Sequence, residues 1–194
     1  MTFREIGRAT RARGIIVTLD DVEFVSPDGQ SVHRDVVRHP GGVGILPVDG
    51  ADVLLVRQFR AAAGRTMLEI PAGKRDRADE SPSELAVREL GEEVGAEAVE
   101  LVPLGTLLPS PAYTSEVIHL FAAHGLVMVG RRPDGVEEHH AEIVRLPIEQ
   151  ALSMVDEGVI DDAKTQIALY RWVFARPGGA NSNPSRVSGG GPTG

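Results

Sequence analysis

Short apolar runs separated by turn residues dominate the first third of the chain. Residues 22–25 and 32–37 flank Ser26-Pro27-Asp28-Gly29, and a turn signal of this strength between two β-like runs predicts a hairpin. Gly41-Gly42 breaks the pattern before a run at 43–48. Asp49-Gly50 then turns the chain into 53–59, and a shorter run at 67–70 stops at Pro71. At Ser81 the apolar period lengthens. Ser81 is a good N-cap, Pro82 suits the first helical position, and Glu84 completes a Ser-x-x-Glu capping box. Leu85, Ala86, Leu90 and Val94 form the apolar stripe, and Gly95 supplies the stop. Strand-like runs return at 101–108, 117–122 and 142–146, and helical periodicity at 148–156 and 163–174 closes the pattern.

Strands and helices mix without regular βαβ alternation, which predicts an α+β fold, an α/β/α sandwich rather than a Rossmann sheet. Three segments follow: an N-terminal β-strand region at 1–40, a main domain at 41–176, and a tail at 177–194. The tail is reduced to Gly, Pro, Ser and Asn with little else, so it is expected to be disordered.

Composition narrows the chemistry. A net charge of −8 argues against a nucleic-acid or anionic-membrane partner. Cysteine is absent, which removes disulfides, thiolate nucleophiles and Cys-based zinc sites together. The first residues do not read as a secretory signal and no apolar run reaches membrane-spanning length, so the expected location is cytoplasmic.

One segment stands against its surroundings. In Arg88-Glu89-Leu90-Gly91-Glu92-Glu93-Val94-Gly95, helical spacing brings Glu89, Glu92 and Glu93 together, away from the apolar stripe. Three converging carboxylates repel one another, and no Lys lies one turn away to relieve them. A solvated acidic face is the ordinary explanation of a Glu-rich helix. The alternative is a hard divalent cation, Mg²⁺ or Mn²⁺, held by oxygen ligands alone.

The flanking residues favour the second reading. Gly73, Glu80 and Arg88-Glu89-Leu90-x-Glu92-Glu93-x-Gly95-Ala96 resemble the signature of the Nudix hydrolase family, which runs Gly, five residues, Glu, seven residues, Arg-Glu-apolar-x-Glu-Glu-x-Gly-apolar. The match is full from Glu80 onward. Between Gly73 and Glu80 the chain carries six residues instead of five, an insertion in a polar loop where extra length costs little.

The resemblance implies a Nudix α/β/α sandwich with a mixed sheet, preceded by a small N-terminal β-domain. It implies Glu89 and Glu93 as metal ligands, with Glu92 and the Ala72 backbone carbonyl beside them. It also implies that Arg88 pairs with Glu80 instead of touching substrate. Upstream, Val56-Arg57-Gln58-Phe59-Arg60 and Leu68-Glu69-Ile70-Pro71-Ala72-Gly73 resemble the ADP-ribose pyrophosphatase subfamily. That makes Arg57, Arg60, Glu69 and Gly73 candidate substrate contacts. Downstream, Ser110-Pro111-Ala112-Tyr113-Thr114-Ser115-Glu116 is similar to a substrate loop of that subfamily and adds Glu116. Tyr113 could stack on a ligand or pack in its loop.

In related enzymes a glutamate from a loop beyond the signature activates water. Counting back from Pro147 favours Glu137, with Glu138 next, while His139 and His140 read as loop residues on extended chain. The activity implied is hydrolysis of a nucleoside diphosphate sugar, ADP-ribose to AMP and ribose 5-phosphate, with Mg²⁺ (or Mn²⁺) as cofactor. By the same resemblance the chain is a homodimer joined through its N-terminal strands. GDP-mannose, another sugar nucleotide or a dinucleotide is the alternative substrate, and a non-catalytic Nudix sensor the alternative class.

Overall fold

The computed structural model describes residues 2–175 except Ala78 and Asp134, so the tail expected to be disordered lies outside the described residues. Ten strands and four α-helices make up this part. Three strands, β1 (Arg4–Arg13), β2 (Thr18–Val25) and β3 (Ser31–Arg38), form an antiparallel sheet in that order. The expected hairpin is β2–β3, with Val25 opposite Ser31 across the Pro27–Gly29 turn. Strand β1 had no counterpart in the apolar pattern because it reads Arg-Glu-Ile-Gly-Arg-Ala-Thr-Arg-Ala-Arg and is exposed along nearly its whole length.

The main sheet contains β4 (Gly42–Asp49), β5 (Asp52–Arg60), β6 (Arg65–Glu69), β7 (Ala72–Lys74), β8 (Ala96–Leu107), β9 (Ile118–Met128) and β10 (Glu142–Pro147). Its path is β10-β5-β4-β9-β8, with β6 on β5 and β7 on β4. The β4–β9 pair is parallel and the others are antiparallel, so the sheet is mixed as expected. Strand β4 is buried from Gly42 to Val48 because helices cover both faces of the sheet.

Helix α1 (Pro82–Glu89) lays Leu85, Ala86 and the following Leu90 and Val94 on Val43, Ile45, Phe121 and Ala123. On the opposite face, α3 (Ile148–Asp156) and α4 (Ala163–Ala175) bury Ile148, Ala151, Val155, Leu169 and Trp172 against Leu46, Leu55 and Leu120. Helix α2 (Val136–His139) is a single short turn before β10. No helix among the described residues is long and apolar enough to cross a membrane.

Two departures from the expected pattern shape the site. The segment predicted as one helix from Ser81 to Gly95 changes to a π-turn over Leu90–Val94, closed by a Gly95 N–H to Leu90 carbonyl bond of 3.1 Å. Such turns inside α-helices cluster at functional sites. The second departure is in the sheet. Strands β4 and β5 pair only beside their turn, through Val48–Val53 and Asp49–Asp52, and then part. The strip from Arg65 to Lys74 bridges the opening, with β6 on β5 and β7 on β4.

Candidate active site

A cleft of about 910 Å³ lies over that opening. Its acidic floor comes from the end of α1 and the π-turn. Glu89 and Glu93 are buried, at 6% and 3% exposure, whereas Glu92 is half-buried at the cleft, paired with Arg88. The Glu89 carboxyl lies directly on the β7 backbone: a Cβ at Gly73 would fall 2.0 Å from its carboxyl carbon. Gly42 is needed for the layer beneath, since a Cβ there would meet the Gly73 carbonyl oxygen at 2.5 Å. Glu93 Oε2 accepts the Ala72 N–H at 3.1 Å. Glycine at position 73 is thus a spatial requirement of the neighbouring glutamate.

Burial pushes Glu89 up to about 7, helped by the charges of Glu92, Glu138 and Asp76 and opposed by Arg88. Burial also drives Glu93 up to about 8, with Glu89 and Glu138 adding to the shift and the Ala72 N–H resisting it. Two buried carboxyls that resist ionisation side by side leave the floor short of positive charge. The donors are all oxygen, the set that suits Mg²⁺ or Mn²⁺. Glu89, Glu93 and Glu92, with the Ala72 carbonyl, are the groups that fit it. Among the described residues no three acidic or imidazole side chains are already gathered into a closed cation site. Arg88 draws Glu92 away at 2.9 Å, and the Ala72 N–H engages Glu93.

Arg88 corrects one expectation. The acidic face is not without a counter-charge, because Arg88 lies 3.1 Å from Glu89 and bonds Glu92 one turn on. Its other nitrogens hold Glu80 at 2.8 and 3.0 Å and Asp76 at 3.1 Å. The expected Arg88–Glu80 pair is therefore present. The extra loop residue is absorbed between Lys74 and Glu80 without breaking it.

The opposite wall carries balanced charge. Arg60 Nε and Nη2 bond the two oxygens of Glu69 at 2.6 and 2.9 Å. Lys164 also bonds Glu69, and its Nζ lies 3.0 Å from Asp162. Burial raises the Glu69 carboxyl, but Arg60 and Lys164 outweigh it and hold the group below its ordinary value. Asp162 caps α4 through the Thr165 N–H at 3.0 Å, and Thr165 Oγ1 in turn accepts the Ile70 N–H at 2.8 Å. Lys164 and Asp162 escaped the sequence reading. One signal was available: a lysine in the first turn of a helix opposes the helix dipole and calls for a local partner.

The remaining candidates sort as follows. Glu116 lines the cleft, with its carboxylate 3.5 Å from His39 Nδ1. Its loop is stitched to β3: Val37 N–H donates to the Tyr113 carbonyl at 2.7 Å, and Ser115 N–H donates to the Val37 carbonyl at 3.0 Å. The Tyr113 ring is exposed and outside the cleft lining. Glu137 and Glu138 reach the cleft from α2, so the segment expected to be extended is helical. Arg57 is the outlier. It pairs with Glu142 at 3.2 Å and borders a neighbouring cleft of about 470 Å³ that also includes His140.

A NUDIX domain model matches residues 38–169. An ADP-ribose pyrophosphatase of Bacillus subtilis (strain 168) is 36% identical over 152 residues, covering 78% of this chain and 80% of the relative. A methanol dehydrogenase activator of Bacillus methanolicus is 35% identical over 158 residues, covering 81% and 84%. A GDP-mannose pyrophosphatase of Yersinia enterocolitica is 33% identical over 158 residues, covering 76% and 82%. Among solved structures, one described as an ADP compounds hydrolase superposes with a TM-score of 0.77 at 25% identity, covering 90% of this chain and 96% of the other.

Proposed function

The chain belongs to the Nudix family and is a pyrophosphohydrolase, and from that premise we propose that its substrate is ADP-ribose, cleaved to AMP and ribose 5-phosphate. The observation that carries this reading is the meeting of two unlike walls in one cleft. The buried Glu89–Glu93 pair faces a charge-balanced wall from which Arg60 extends, part exposed. The first wall suits cations and the second presents a guanidinium to a phosphate oxygen.

Water adds to one phosphorus, the bridging P–O bond breaks, and each product leaves with one phosphate. A bound Mg²⁺ would supply charge neutralisation and favour ionisation of water. Glu89, Glu93 and Glu92 would hold it together with the Ala72 carbonyl. Arg60 orients the pyrophosphate, and Glu116, tied through its loop to the N-terminal sheet, borders the sugar or nucleoside end. A glutamate of α2 takes the proton from water. The charge of Glu138 acts on both Glu89 and Glu93, which favours Glu138 over the Glu137 that counting favours.

The same reading extends to assembly. Among the described residues one edge of strand β1 has no partner strand, and Ile6 within it and Phe3 just before it are exposed, which supports a homodimer formed through the N-terminal strands. Resemblance to GDP-mannose pyrophosphatases supports a second sugar nucleotide as the alternative substrate. Product analysis with ADP-ribose, GDP-mannose and a nucleoside triphosphate, each with Mg²⁺, separates these readings. AMP and ribose 5-phosphate, lost on chelation, are the expected products. Cleavage of GDP-mannose alone would overturn the choice of substrate, and inertness toward all three would overturn the catalytic reading.

A further inference from the structure

Lys164 is buried, at 9% exposure, yet it borders the cleft and spends its charge on two acidic neighbours. It lies on α4, nearly a hundred residues beyond the glutamate it contacts. Four charges alternate along this wall: Arg60, Glu69, Lys164 and Asp162. The two cations and two anions cancel.

Glu69 binds Arg60 through Nε and Nη2, which leaves Nη1 clear of the pair. Asp162 also acts on Arg60 electrostatically. Lys164 stands between Asp162 and Glu69 and answers both. Without it, the buried Glu69 and the half-buried Asp162, which Thr165 also engages, would have Arg60 as the remaining cation of the wall, and removing one partner of a buried pair leaves uncompensated charge. The wall would then gain a net negative charge beside Glu93, in the cleft where an anionic pyrophosphate must sit.

We propose that Lys164 is a positioning residue for substrate binding: it satisfies Glu69 and Asp162 so that Arg60 stays extended, with its free edge available to a phosphate oxygen of the substrate. This rests on the reading of the cleft as a nucleoside diphosphate sugar site. Lys164 itself acts through Arg60 and touches no substrate atom.

The test is a double-substitution cycle on the full-length chain with Lys164→Met, Arg60→Met and the pair, using ADP-ribose or whichever sugar nucleotide the wild type cleaves. Lys164→Met is expected to raise KM on the order of tenfold while kcat stays within about twofold. The pair is expected to be no worse than Arg60→Met alone, because the second residue works through the first. Additive effects in the pair would overturn the proposal in favour of a direct substrate contact. An unchanged KM with a lowered Tm would overturn it in favour of a purely structural ion pair. Should Lys164→Met fail to fold, Lys164→Gln keeps a donor for one carboxylate while removing the charge, and is read by the same KM criterion. A wild type that cleaves no sugar nucleotide defeats the function reading itself, an outcome visible before any variant is made.

Discussion

The cleft buries carboxylates on both sides, and the two sides have opposite electrostatic fates. Glu69, the most buried at 1% exposure, is held ionised by Arg60 and Lys164. Glu89 and Glu93, nearly as buried, are pushed up to about 7 and about 8. Desolvation acts on all three alike, so partners make the difference. One wall is complete within the protein, whereas the other has more anion than the fold neutralises. A buried charge left short of partners is costly, and it is retained where a ligand completes it. The same contrast bears on how a chain of net charge −8 could receive an anion: the Arg60–Lys164 wall adds no net charge, and a divalent ion on the floor would supply the positive charge.

The sharpest way to break the contrast is to remove one charge from the unbalanced floor. Glu93→Gln keeps shape and burial but deletes the carboxylate proposed to hold the metal. It is expected to lower kcat/KM on the order of 10³-fold or more, the scale of losing a principal electrostatic stabiliser. Folding should be preserved, because a neutral amide is easier to bury than a carboxylate. Near-normal turnover would remove Glu93 from the metal site.

A smaller loss is expected from Gly73→Ala, which removes no carboxylate. The new methyl would meet the Glu89 carboxyl at 2.0 Å, so that side chain must swing off the β7 backbone. We expect a decrease on the order of 10²-fold in kcat/KM, in line with the cost of displacing a catalytic group by about an ångström. Circular dichroism and Tm should change little. A variant with full activity would show that Glu89 need not rest on the Gly73 backbone.

These two residues also mark how far the sequence could be read. The floor was legible because residues at helical spacing share a face, which brings Glu89, Glu92 and Glu93 to the cleft from one short segment. The capping box at Ser81 and the stripe of Leu85, Ala86, Leu90 and Val94 were legible for the same local reason. The balanced wall was only half legible. Arg60 and Glu69 appear in adjoining β-segments, but Lys164 meets Glu69 only after the sheet and α4 have packed. The π-turn was hidden as well, since a five-residue turn leaves no period of its own in so short a stretch. Strand β1 was missed because nearly all of it faces solvent, and a strand without a buried face has no alternation to detect.

The source of the catalytic base separates the floor from the loop above it. Both glutamates of α2 line the cleft, but Glu138 acts electrostatically on both floor glutamates, whereas Glu137 also borders the neighbouring cleft. Glu138→Gln is expected to lower kcat by about 10²-fold, with KM changed less, as for loss of a general base. Glu137→Gln is expected to be milder. The reverse order would return the role to Glu137.

The smallest effect is on stability, and its sign follows from the raised carboxyls. In the unfolded chain Glu89 and Glu93 ionise near 4.5; in the folded, metal-free chain they retain their protons up to about 7 and about 8. Below 4.5 both states are protonated and the pair's stabilising contribution is fully present. As pH rises through 7 and 8 the folded state must carry two adjacent buried anions, and that contribution is lost. Metal-free protein should therefore melt lower at about pH 9 than at about pH 5, opposite to the trend expected from paired carboxylates such as Glu69 or Glu80 below their own ordinary range. Mg²⁺ competes with those protons, so the Tm increase it produces should grow as pH rises over the same window. Thermal melts with and without Mg²⁺ across that range read both slopes. A Mg²⁺ increment that is constant, or largest at low pH, would place the cation away from Glu89 and Glu93. The floor would then be a second balanced wall, neutralised by its own protons.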